Sequence, residues 1–256
     1  MRRPAQLALA ALLSAALSQS PAAAQPSIEA DAETVMRAMA EHLGQLTAFS
    51  VAFETDGEIV DLAGQKLMFV SAGRIVLQRP DRILVKKANA LGEAELRYDG
   101  STLSIYAPDA KAYFLLPVAG TLDDAIDAVR SELGYDAPGA DLLYADVYAS
   151  LMSNVTSGRH LGMALIDGVE CHHLAFRTDL VDWQLWVTAG DRPLPLRYII
   201  TSKWVTGAPQ YTARLHDWNM APSVDQASFA FTAPADARQI EQLRVNAVGE
   251  LEEVPR

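Results

Sequence analysis

Residues 79–109 decide the fold: Arg79-Pro80-Asp81-Arg82-Ile83-Leu84-Val85, and then Tyr98-Asp99-Gly100-Ser101-Thr102-Leu103-Ser104-Ile105-Tyr106-Ala107-Pro108-Asp109. Strand-like runs at about 82–87, 94–99 and 102–107 are separated by turn-forming residues, with Arg79-Pro80-Asp81 before the first, Asp99-Gly100 before the last and Pro108-Asp109 after it. Proline presets φ for a turn, and glycine supplies the positive φ that tight hairpins need. Extended runs joined by such short connections lie antiparallel. Working outward, similar runs fall at about 65–78 and 111–116. Upstream of these, Phe49, Val51, Phe53 and Thr55 alternate with Ser50, Ala52 and Glu54. A period of two is the mark of a strand, so the whole first half reads as an antiparallel meander.

The flanks change period. Ala32, Val35, Met36, Met39, Leu43 and Leu46 repeat at helical spacing behind Asp31, a candidate N-cap, with Glu33 in the first turn. Midway, Leu122, Ile126, Val129 and Leu133 follow Thr121 as a second helix. A third helical stretch runs from about Ala140 through Leu143, Val147 and Leu151, separated from the second by the loop at 134–139. Strands return at about 155–166, 169–178, 181–188, 194–202 and 210–219, with Asp167-Gly168 and Gly190-Asp191-Arg192-Pro193 as turns. The pattern predicts roughly eleven strands, one leading helix and two helices inserted at 121–152. With no Pro/Ser-rich linker between the halves, residues 25–256 read as one domain. The charged end from Arg238 reads as a short helix and a frayed tail.

Residues 1–24 carry the signature of a cleaved secretory signal: Arg2-Arg3, an apolar run from Leu7 to Leu17, and Ala22-Ala23-Ala24 before Gln25. No cysteine follows that site, so a lipid anchor is not expected, and the apolar run is short for a retained membrane span. The expected location is therefore the periplasm. Residues 1–24 hold two arginines and no acid, so the other 232 residues carry 19 basic and 32 acidic side chains, a formal charge of −13 with histidine neutral. Such a surface repels nucleic acid. Half of the chain is hydrophobic, which excludes a disordered protein, and the single Cys171 excludes an intramolecular disulfide.

The sequence has no Gly-x-Ser-x-Gly elbow, His-Glu-x-x-His, phosphate loop or dinucleotide-binding glycine pattern, so no catalytic residue is assigned and the chain is read as a non-enzyme. Glu170-Cys171-His172-His173 gathers metal-ligand types, but neighbouring side chains on a strand point to opposite faces. Cys171 then pairs with His173 and Glu170 with His172, four residues that cannot grip one ion. No metal and no cofactor are expected. Phe49, Phe53, Phe69, Tyr113, Trp183, Tyr198 and Tyr211 occupy strand positions that fit one apolar face. They are the candidate lining of a ligand cavity, and core packing accounts for each of them as well. Imperfect alternation in 181–188 and 194–202 puts apolar residues on both faces of the sheet, a feature shared by a cavity-bearing sheet, a sandwich and a closed barrel.

The Pro-Arg strand opening and the Tyr98-Asp99-Gly100 to Pro108 hairpin resemble the strands of the LolA/LolB superfamily of bacterial lipoprotein carriers. Asp182-Trp183-Gln184-Leu185-Trp186, Leu194-Pro195-Leu196-Arg197-Tyr198 and Phe229-Ala230-Phe231-Thr232-Ala233-Pro234 are similar to an uncharacterised family of periplasmic proteins related to those carriers. The resemblance implies a mainly β fold: a single curved antiparallel half-barrel of about eleven strands, its concave side covered by a few helices around a hydrophobic cavity. It also implies a non-catalytic binding protein for a lipid or acylated protein, with an envelope-stress sensor module similar to RseB, working through an envelope protein, as the alternative.

Overall fold

The computed structural model describes residues 27–245 and 251–253. The expected signal at 1–24 lies outside these residues. The leading helix α1 (Ala30–Gln45) is followed by strands β1 (Ala48–Val60), β2 (Lys66–Gln78), β3 (Arg82–Asn89), β4 (Gly92–Tyr98), β5 (Thr102–Ala107) and β6 (Ala112–Pro117). Helix α2 (Leu122–Leu133), a 3₁₀ turn (Ala140–Leu143) and the short α3 (Val147–Met152) form the insertion. Then come β7 (Ser157–Ile166), β8 (Val169–Arg177), β9 (Val181–Thr188), β10 (Pro195–Ser202) and β11 (Gln210–Asn219). All eleven expected strands are present.

They form one open sheet in the order β12-β6-β5-β4-β3-β2-β1-β11-β10-β9-β8-β7, in which β12 (Arg238–Gln239) adds a twelfth, two-residue strand parallel to β6. Every other pairing in this sheet is antiparallel. Two hairpin meanders, β1–β6 and β7–β11, therefore meet at the β1–β11 seam. The curved sheet does not close, so neither a sandwich nor a closed barrel is formed.

Tight points along the sheet explain some of its glycines. A Cβ on Gly73 would sit 2.2 Å from the Lys86 carbonyl and 2.4 Å from Phe53 Cζ, because the Phe53 ring lies across that position. Gly158 similarly lies beneath Phe176.

One core joins the helices to the concave face. Ala32, Met36, Met39, Ala40 and Leu43 of α1, and Leu122, Ala125, Ile126, Val129 and Leu133 of α2, pack with Phe49, Val51, Leu77, Leu103, Leu174, Leu185 and Tyr198. Both helices bury the faces their spacing predicts. α2 starts on a capping box in which Thr121 and Asp124 bond reciprocally. Arg79, in the turn before β3, clamps the insertion onto the sheet by donating to the Leu143 carbonyl at 3.0 Å and the Tyr144 carbonyl at 2.9 Å.

Three local expectations are corrected. The N-cap of α1 is Glu29, and Asp31 lies inside the first turn. The third helical stretch is broken at residues 144–146, where Asp146 turns to cap α3 by accepting from the Ala149 amide. Among the described residues the segment from Arg238 contains no helix: it supplies β12 and a small hairpin of β13 (Leu243–Val245) and β14 (Leu251–Glu253).

Candidate functional site

Strand register decides which candidate residues share a face. Phe49, Phe53 and Gly57 of β1 oppose Leu77, Gly73 and Phe69 of β2, so all of these face the helices. Across the seam Gly57 opposes Tyr211, Tyr211 opposes Ile200, Ile200 opposes Trp183, and Trp183 opposes Phe176. One concave row thus runs from Phe69 through Tyr211 to Trp183, and Tyr198 lies on the same side of β10. Tyr113 does not. Its register partner is Tyr106, and both rings pack against Phe231 on the convex face, at centroid distances of 5.2 and 5.7 Å. The six-residue span from Ala107 to Ala112 leaves Phe114, not Tyr113, on the concave side.

The six concave residues differ in environment. Phe49 is fully sealed. Trp183 is 3% exposed, stacked on Phe176 at 4.3 Å and edge-on to Tyr198 at 5.7 Å. Burial pushes the Tyr198 and Tyr211 phenols well above their ordinary range, so both stay neutral. Phe69 is only half-buried. So are Ile75, Val85, Leu96 and Phe114, which continue the concave apolar surface across β2–β6. These last four carry no signal in the sequence that separates them from ordinary core positions.

Around the end of the sheet where β1 meets β2, β3 meets β4, β8 meets β9 and β10 meets β11, the connections expose Leu62, Leu91, Leu180 and Trp204. Phe69 and Tyr211 lie near that end of their strands. The half-buried concave surface and the exposed apolar loops are therefore neighbours.

Two clefts stand apart from this surface. One, of about 290 Å³, lies in the helical insertion, lined by Asp123, Arg130, Asp141, Tyr144, Asp146 and Ser150. Its centre is a polar network in which Arg130 donates to Asp141 at 2.8 Å and to the Tyr144 hydroxyl at 2.7 Å, while Tyr144 donates to Asp127 at 2.5 Å. The other, of about 310 Å³, is convex and lined by Asp99, Ser104, Tyr113 and Phe231.

Around Cys171 the faces divide as the strand period requires. His173 stacks on Trp186 at 4.1 Å on the Cys171 side, while His172 turns the other way and meets His160. Burial pushes the Cys171 thiol above its ordinary range, away from a nucleophilic thiolate. Among the described residues no three side chains of His, Cys, Asp and Glu gather around one point. No helix among them is long and apolar enough to cross a membrane.

The fold is an open, curved, mostly antiparallel half-barrel with helices packed into its concave face. Residues 32–243 match the model of the family described as predicted periplasmic protein (DUF2092), and the chain belongs to that family. The periplasm is its location. No match is found among curated proteins.

Among solved structures, an uncharacterized conserved protein from Thermus thermophilus is similar at 10% identity, with a TM-score of 0.50, over 84% of this chain and 99% of that one. A LolA superfamily protein from Nitrosomonas europaea is 12% identical, with a TM-score of 0.37, over 78% of this chain and 97% of that one. The MucA/MucB complex of Pseudomonas aeruginosa gives 13% identity and a TM-score of 0.45, over 87% of this chain and 74% of that one. At such identities the likeness is one of fold.

Proposed function

We propose that this protein is a non-catalytic periplasmic binding protein that holds a hydrophobic ligand, the acyl chain of a lipid or of an acylated protein, against the concave face. The observation that carries this reading is that the concave apolar face is half-buried at Phe69 and Tyr211, beside the exposed loops, and stays only partly covered farther in at Ile75, Val85, Leu96 and Phe114. Binding sites for apolar ligands are concave, largely preformed and lined by such side chains. Phe69 and Tyr211 would meet the ligand first. Phe49, Phe53, Trp183 and Tyr198 form the packed floor beneath the helices, and ligand reaches them only as the helices shift.

The test is mass spectrometry of lipid co-purified with the protein from its native envelope, followed by fatty-acid titration of the wild type and of Phe69→Glu. Saturable binding that Phe69→Glu weakens supports the reading. A wild type that carries no lipid and shows no saturable response rejects it.

The loops favour a second reading, docking of an envelope protein, because Leu62, Leu91, Leu180 and Trp204 are exposed on the same end of the sheet. Crosslinking from Trp204 to a single envelope protein, in a preparation free of lipid, is the result that would select it.

A further inference from the structure

Strand β7 forms one edge of the half-barrel, and its ladder with β8 contains an extra residue. His160 opposes Leu174 and Met163 opposes His172, so three steps along β7 match two along β8. In a regular strand residues 160 and 163 would point to opposite faces. The bulge at Leu161-Gly162, with Gly162 at a φ of +102°, returns Met163 to the face of His160. The same face of β8 carries His172, whose Nδ1 lies 3.0 Å from Nε2 of His160, with ring centroids 5.2 Å apart. Two imidazoles and a thioether, from positions separated along the chain, thus converge on one patch. Met163 is 49% exposed, so the patch is reachable from solvent.

We propose that His160, Met163 and His172 form a copper-binding site on this edge. With metal–nitrogen bonds of about 2.0–2.1 Å, two imidazole nitrogens held at 90–110° lie roughly 2.9–3.4 Å apart. The rings already have that separation; of these two hydrogen-bonded nitrogens one carries a proton, which a tautomer shift moves to the other nitrogen of its ring, and small rotations then turn both lone pairs onto a shared ion. Imidazole binds Cu(II) most strongly among the divalent first-row metals, and a thioether is a soft donor that selects Cu(I). Neighbouring charges are compatible: Glu170 lies on the same face two residues before His172, and the Glu29 carboxylate accepts from the His160 amide at 2.9 Å.

The experiment titrates the full-length mature protein with Cu(II), followed by electron paramagnetic resonance, and with Cu(I) under anaerobic competition with a chromophoric chelator. One copper per chain is expected, with nitrogen hyperfine splitting from two imidazoles. His160→Ala and His172→Ala should each weaken binding by about tenfold or more, since each removes one of the two strong donors. Met163→Leu should weaken Cu(I) and spare Cu(II). His173→Ala, on the opposite face, should bind as the wild type does. Thermal unfolding by circular dichroism confirms that each variant is folded, and the nitrogen count is read on the wild type itself. The proposal is overturned if the wild type takes up no copper, if either histidine variant binds with wild-type affinity, or if the spectrum shows nitrogen donors other than two imidazoles.

Discussion

Trp183 and Phe69 lie on the same concave face, on opposite sides of the β1–β11 seam, and their surroundings differ. Around Trp183, on β8–β10, the aromatic rings of Phe176 and Tyr198 and the buried Leu185 close the surface completely, and α1 packs against β7 and α3 on this wing. Around Phe69, on β2, the neighbours are Gly57 and Ser71, and the half-buried Ile75, Val85, Leu96 and Phe114 lie farther along the same face. One face, built from one alternating pattern, is thus sealed around Trp183 and half-buried around Phe69, while at the other end of β2–β5 Leu77, Ile83, Tyr98 and Leu103 are core again. Apolar alternation marks what turns inward; how far the helices reach decides what is sealed.

The largest expected effect lies on the sealed wing. Trp183→Ala should cost about 3–5 kcal/mol of stability, because it leaves a cavity between Phe176 and Tyr198. Urea unfolding measures it, and a loss no greater than that of Phe69→Ala would erase the distinction between the wings.

Gly73→Ala comes next. Its new Cβ meets a backbone carbonyl that cannot move aside cheaply and the Phe53 ring, so a cost of about 1–3 kcal/mol is expected by thermal denaturation. Phe69→Ala should cost about 1 kcal/mol or less at its half-buried position, yet weaken fatty-acid binding measurably in the same titration that leaves Val70→Ala, on the other face, unchanged.

The smallest effect is one of pH. Burial holds both His172 and His42 below the ordinary histidine value of 6.5, the former aided by His160 and the latter by Arg192. For each, the unfolded chain takes up a proton before the folded one. The stabilisation of the neutral form is therefore complete above about pH 6.5 and is lost as pH falls through the folded pKa. Urea midpoints between pH 8 and 5 should decline, less steeply in His172→Asn.

Much of this architecture is legible in the sequence because strand periodicity and turn chemistry are local. The Tyr98-Asp99-Gly100 hairpin and the Thr121 helix start are set by a few adjacent residues, and both form where they are expected. What is not legible depends on distant partners. Residues 238–239 become a strand only because β6 offers an edge. The helical spacing from Ala140 to Leu151 is interrupted because Arg79 holds the Leu143 and Tyr144 carbonyls. Tyr113 groups with the concave aromatics by residue type alone, because its side depends on the number of residues in the preceding turn, which hydrophobicity does not report. The meeting of His160 with His172 requires a bulge that a two-residue period cannot foresee.

The β1–β11 seam bears on the order of assembly. Phe53 is paired with Leu215, more than half the chain away, whereas β1–β6 pair in sequence order. As the chain emerges from its N-terminus, the first meander can form early from near neighbours, but one side of β1 stays unpaired until β11 has been made. Such nonlocal closure is slow, and an open strand edge recruits other chains. The interval between the emergence of β1 and that of β11 is therefore when this protein is most exposed to self-association, and a chaperone that shields the free edge of β1 would act during that interval.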